Sequence, residues 1–161
     1  MTDSLFDLSD YTEEREPTER GFSASCAAGE IAELCFFAEA AKRGLMIYTP
    51  LGHSTNADCI LWNRHTNKPI TVQIKKGVLQ KCESWKIVIG AGRPSCAQAP
   101  SNNELRYRRY TEGDFDIIAM YVKERDSFVM WHLRDVCSQS SIRWSPSNRN
   151  GIENNWDIFN E

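Results

Sequence analysis

Two short apolar runs, Ala57-Asp58-Cys59-Ile60-Leu61-Trp62 and Ile70-Thr71-Val72-Gln73-Ile74-Lys75-Lys76, flank an Asn/Arg/His/Thr turn and read as paired strands. Alternation along the second run turns Ile70, Val72 and Ile74 to one side and Gln73 and Lys75 to the other. Asp58 opens the first run, so three polar groups sit where a purely structural strand pair has little use for them.

Upstream, a serine cap at Ser23 or Ser25 precedes Ala27, Ile31, Leu34, Ala38 and Ala41, which recur at helical spacing. Lys42 and Arg43 suit the last turn of that helix, and Gly44 suits the position after it. Residues 46–49 predict a first strand ended by Pro50, and residues 85–89 predict another after the central pair. Residues 90–103, rich in Gly, Pro, Ser, Ala and Asn, predict a long surface loop. Ser101-Asn102-Asn103-Glu104 fits a capping box and predicts a short helix, in which Leu105, Tyr107 and Tyr110 interleave with Arg106, Arg108 and Arg109 before Gly113 ends it. Two strands, 115–122 and 128–133, form a hairpin, residues 138–150 carry no periodic pattern, and Trp156, Ile158 and Phe159 predict a terminal anchor on the core. Helices both before and within a strand series predict an α/β domain with a mixed sheet.

With 161 residues and 41% hydrophobic content, residues 21–161 suit a single domain, preceded by an acidic tail over residues 1–20. No apolar run approaches the ~20 residues of a membrane span, and the acidic start lacks the basic and apolar regions of a signal peptide, so a cytoplasmic protein without a membrane partner is expected. Six cysteines (26, 35, 59, 82, 96, 137) form no CxxC pair and are expected to be reduced, mostly buried thiols. The net charge is −3, yet the acids concentrate at the ends: residues 21–152 hold 17 basic and 12 acidic side chains, which permits a positive groove.

Asp58, the Gln73 amide oxygen and a strand carbonyl are the oxygen donors that magnesium accepts. Lys75 could orient an attacking water or stabilise charge on a phosphate, and Glu30, beside the core stripe of the helix, could hold a metal-bound water. Each residue also has a structural reading. A strand-end Asp caps turns, an alternating Gln/Lys face meets solvent, and Glu30 and Glu33 suit the first turns of a helix as water-facing acids. The basic and aromatic residues of 105–110 suit a phosphate backbone, or pair with Glu112 and Asp114. An enzyme using His53 or His132 with a cysteine has no support in spacing.

The helix with Glu30, then Asn56-Ala57-Asp58, Gln73-Ile74-Lys75 and Gly113-Asp114-Phe115-Asp116, with Asn155-Trp156 near the end, resembles the PD-(D/E)XK nuclease superfamily. Within it the chain is most similar to compact endonucleases related to archaeal Holliday junction resolvases, including homing endonucleases encoded in group I introns. The resemblance implies a restriction-endonuclease-like αβββαβ core with a mixed sheet flanked by helices, Mg2+ dependence, and hydrolysis of double-stranded or branched DNA by a homodimer or homotetramer. It implies Asp58 as the principal metal ligand, Lys75 as the catalytic lysine and Glu30 as the helix acid near the metal, with Lys76, Arg106, Arg108 and Arg109 on DNA. Gln73 stands where most of the superfamily has Asp or Glu, so a catalytically decayed DNA-binding module of the same fold is the competing implication.

Overall fold

The computed structural model describes residues 24–52, 55–92, 107–148 and 150–160. Its main helix, α1 (Ala24–Lys42), ends where the sequence says it should. Gly44 takes the left-handed conformation (φ 75°), and Leu45 and Gly44 donate to the carbonyls of Ala40 (3.1 Å) and Ala41 (2.9 Å), which satisfies the last turn. The buried face of α1 differs from the expected one. Ala32, Phe36 and Ala40 are buried, whereas Leu34 is 63% exposed and Ala38 and Ala41 face solvent. Small apolar residues occupy most faces of this helix, and the one large ring with a cavity to fill, Phe36, sets the phase.

Strands β1 (Met46–Tyr48), β2 (Cys59–Asn63), β3 (Lys68–Lys76), β8 (Ile117–Val122) and β9 (Ser127–His132) form one sheet in the order β1-β2-β3-β8-β9. All pairs are antiparallel except β3 with β8, which makes the sheet mixed. A parallel pair needs a long crossover. That crossover carries β4 (Val78–Gln80), β5 (Ser84–Val88), β6 (Gly90–Gly92) and β7 (Tyr107–Arg109). Strands β4 and β5 join β10 (Ser141–Trp144) in a second sheet, and β6 pairs with β7.

The five-stranded sheet is covered on both faces, so β8 is buried at every position. Ile117, Ala119 and Tyr121 join the core beneath α1, while Ile118, Met120 and Val122 join a second core with Trp85, Ile87, Ile142, Trp144, and Leu133 and Val136 of α2 (Leu133–Val136). A strand covered on both sides reads as a continuous apolar run. The expected anchor is present: Trp156, Ile158 and Phe159, in a short 3-10 helix over Trp156–Asn160, are buried in the first core. The Phe36 ring lies 5.2 Å from that of Trp156 and 5.3 Å from that of Phe128.

Four further expectations are corrected. Tyr107–Arg109, expected in a helix, is a strand, because Gly90–Gly92 offers it an antiparallel partner; residues 101–106 of that expected helix lie outside the described residues. The 138–150 stretch contains β10, whose Ile142 and Trp144 alternate inward against β5. Only Cys59 is buried among the described cysteines; Cys35 and Cys137 are half-buried and Cys26 and Cys82 exposed, all as free thiols. The second face of the main sheet is covered by strands and the short α2, not by a long helix, among the described residues.

If Phe36 sets the packing of α1, Phe36→Ala lowers the unfolding free energy by about 3–5 kcal/mol, and Leu34→Ala changes it by no more than about 0.5 kcal/mol. Urea denaturation of the two variants checks the phase of the helix, since the opposite ranking would restore the expected stripe.

Candidate active site

Strand β3 is longer than its neighbour. Pairing with β2 ends at Cys59 opposite Val72, and the Asp58 N–H donates to the Val72 carbonyl at 2.9 Å. Beyond that point β3 continues to Lys76 with β8 on one side and no β2 on the other. The Ile74 N–H would be stranded there, and an unpaired buried amide is costly. Asp58 Oδ2 accepts it at 2.6 Å, and the same oxygen accepts Gln73 Nε2 at 2.5 Å. Gln73, 8% exposed, also donates to the Ile74 carbonyl at 3.3 Å. Lys75 follows on the same face: its Nζ donates to the Gly90 carbonyl at 3.3 Å and lies 5.3 Å from the centre of the Tyr110 ring.

Burial pushes the Asp58 carboxyl above its ordinary range, against the lowering effect of the Ile74 N–H, Lys75 and Gln73. Burial likewise pushes the Lys75 ammonium down, while the Asp58 charge opposes that shift. The Tyr110 hydroxyl is raised to about 12, first by burial and then by the charges of Asp58 and Asp114. Two opposite charges are therefore held side by side where the fold disfavours both, a common mark of a working site.

The loop before β2 is fixed from across the sheet. Asp114 accepts hydrogen bonds from Asn56 Nδ2 (2.9 Å), Arg108 (2.7 Å) and the Thr111 N–H (2.8 Å), the last being the main reason its carboxyl lies below the usual range. Asp116 Oδ2 accepts the Thr71 N–H at 2.8 Å and the Thr71 hydroxyl at 2.6 Å, which clamps the start of β8 onto β3. The two aspartates of Gly113-Asp114-Phe115-Asp116 thus hold the register that carries Gln73 and Lys75.

The structure brings Asp58, Gln73 and Lys75 together. Glu30 is exposed on α1. One turn later Glu33 is half-buried, on the Phe36 side of the helix, and its charge is among those that raise the thiol of Cys59, the neighbour of Asp58. Lys76 is half-buried and Arg109 exposed; Arg108 is ion-paired with Asp114; Arg106 and His53 lie outside the described residues. His132 sits at the end of β9, ahead of α2. The sequence places Glu33 with Glu30 as a water-facing acid of the first turns, because alanines on most faces hide the phase of the helix. Tyr110 and the Gly90 carbonyl were passed over because their place depends on the β6–β7 pairing, for which the only local signal is the glycine pair at 90 and 92.

Among the described residues no three His, Cys, Asp or Glu side chains gather as a metal cluster. The donors present are all oxygens: the Asp58 carboxylate, the Ile74 carbonyl and, with its amide turned over, Gln73 Oε1. At present Gln73 Nε2 stands between Asp58 Oδ2 and the Ile74 carbonyl. An N–H donor between two acceptors occupies the position a hard cation prefers, so the set fits a divalent cation that keeps several waters.

A carboxylate and a lysine meet at the open end of a central strand, on a mixed sheet backed by one helix. The chain belongs to the PD-(D/E)XK endonuclease family, whose model matches residues 25–154. Its structure is similar to that of the bacterial homing endonuclease I-Ssp6803I, with a TM-score of 0.64 and 20% sequence identity over 80% of this chain and 82% of that one, a likeness of fold. No curated protein matches the chain.

The raised Asp58 pKa fixes the sign of a stability effect. A carboxyl raised above its unfolded value of 3.8 contributes stability that is complete below that value and lost as pH rises through the folded pKa. Asp58→Asn, which retains an acceptor oxygen and cannot ionise, therefore melts no lower than the wild type at pH 7, and the two converge in acid. Thermal unfolding at pH 7 and pH 4 checks this; a variant several degrees less stable at pH 7 would mark Asp58 as a structural residue.

Proposed function

We propose that the protein is a magnesium-dependent endonuclease that hydrolyses phosphodiester bonds in double-stranded or branched DNA through Asp58, Gln73, Lys75 and a carboxylate of α1. The observation that carries this reading is the Asp58–Lys75 pair, buried against its own charge at the open end of β3. Magnesium held by Asp58, the Ile74 carbonyl and the Gln73 amide oxygen would supply Lewis-acid polarisation of the scissile phosphate and a more acidic water. The chain's own contribution is positional. Lys75 places its ammonium beside the phosphate, where it stabilises the charge that builds on the oxygens, and the walls that disfavour its charge strengthen that interaction.

For the helix acid we favour Glu33 over Glu30, because Glu33 lies on the sheet side of α1 and acts electrostatically on Cys59. Phosphate contacts outside the site fall to Lys76, Arg109 and Arg106, with Arg108 shared between DNA and Asp114. One such site cuts one strand, so a homodimer or homotetramer suits a symmetric target. The fold likeness to a homing endonuclease supports a homing type of activity, and junction resolution would use the same site. A non-catalytic reading rests on one observation: Gln73 satisfies Asp58 and Ile74 without a metal. Calorimetric titration of the DNA-bound protein with a divalent cation separates the two, since a decayed site shows no binding that Asp58→Ala abolishes.

Purified protein with Mg2+ should nick plasmid or cut a four-way junction. Asp58→Ala and Lys75→Ala should each reduce the rate by about 100-fold or more. Intact substrates, or variants as active as the wild type, would reject the nuclease assignment. Glu33→Gln should lose more activity than Glu30→Gln; the reverse order would return the role to Glu30.

A further inference from the structure

We propose that Tyr110, together with the Gly90 carbonyl, is the positioning device for Lys75: the ring face carries the ammonium and the carbonyl fixes its direction. This rests on the nuclease reading for its consequence, though not for its geometry. Lys75 Nζ stands 5.3 Å from the Tyr110 ring centre, within the range of a cation–π contact, and donates to the Gly90 carbonyl at 3.3 Å. Tyr110 is 3% exposed and is itself held edge-on by Phe115, with ring centres 4.8 Å apart and planes 79° apart. Gly90 pairs with Arg109, the residue immediately before Tyr110, so both supports of Lys75 come from one short ribbon. The ribbon is close-packed at that point: a Cβ on Gly90 would stand 2.7 Å from the Arg108 carbonyl oxygen.

The division of labour follows from donor counting. An ammonium has three N–H donors and no acceptor. A second carbonyl or carboxylate at this place would take another donor, and a carboxylate would neutralise the charge that the phosphate needs. A ring face attracts the cation without accepting a directed hydrogen bond, so with one donor on Gly90 two remain for the phosphate and the attacking water. The ring also favours the charged form of Lys75, in opposition to the burial that disfavours it. Tyr110 touches neither metal nor substrate in this scheme and acts through Lys75.

The test replaces Tyr110 with Phe and then with phenylalanines carrying one, three and five ring fluorines, which keep the shape of the ring and progressively weaken its negative face. The order of the Lys75 side chain, read from the relaxation of its Cε methylene in the free protein, is expected to match the wild type in Tyr110→Phe and to fall stepwise with fluorination. In the cleavage assay kcat is expected to fall by roughly threefold to thirtyfold across the series with little change in KM. Side-chain order that ignores fluorination overturns the proposal, as does a Tyr110→Phe protein that loses as much order as the pentafluoro one, which would assign the effect to the hydroxyl. Because the order is read without substrate, a protein that cuts no DNA rejects the nuclease reading alone and leaves the positioning of Lys75 to be decided by the relaxation measurement.

Discussion

The site depends on one hydrogen-bonding obligation, the Ile74 N–H left without a strand partner where β2 stops and β3 continues. A backbone amide in that position must be satisfied, and the Asp58 carboxylate does it at 2.6 Å. The same contact that completes the sheet therefore holds a carboxylate at the opening between two strands. Gln73 follows because its face of β3 is the one Asp58 reaches over, and Lys75 follows two residues later on that face. Strand mismatch, a routine feature of sheet edges, here makes the opening in which three polar side chains meet.

Keeping that opening in place is the task of the surrounding sheet. Parallel pairing of β3 with β8 forces a long crossover, and the chain uses it to build the β6–β7 ribbon and the outer sheet that cover the Gln73–Lys75 face. Asp116 and Thr71 lock β8 to β3, and Asp114 ties the loop of Asn56 to the turn before β8. On the other face, Phe36 and the terminal Trp156–Asn160 segment press α1 onto the sheet. Both faces of β8 are thus buried, and the partial burial beside it raises Asp58 and lowers Lys75.

Much of this was legible in the sequence, and the parts that were not share a cause. Asp58, Gln73 and Lys75 stand out because a charge or amide inside an alternating apolar pattern is a local anomaly, and alternation also gives the face each occupies. The long apolar run of β8 and the three apolar residues near the end were legible for the same reason. The phase of α1 was not, since alanines on most faces leave the pattern flat and only the tertiary cavity selects Phe36 over Leu34. The same flat pattern left Glu33 among the water-facing acids, whereas it is half-buried. Strand β7 was misread because Arg, Tyr and a capping box are locally helical, while its pairing partner lies on the far side of a long connection; tertiary pairing overrides such propensity. Strand β10 was hidden because its alternation is only four residues long.

Glutamine at position 73 has a physical consequence that a second acid would not. Two carboxylates at the 2.5 Å separation of Asp58 Oδ2 and Gln73 Nε2 would repel each other, and one would stay protonated until a cation arrived. With an amide there, the single negative charge of Asp58 is balanced by Lys75 and the hydrogen bonds close without metal. The site is therefore assembled before any cation binds, at the expense of the charge that would draw one in. On the nuclease reading the missing negative ligands must come from the substrate phosphates, because magnesium readily completes its oxygen shell from phosphate and water. On that reading metal and DNA bind with mutual reinforcement, each supplying what the other lacks, and the glutamine makes the site dependent on substrate without abolishing it.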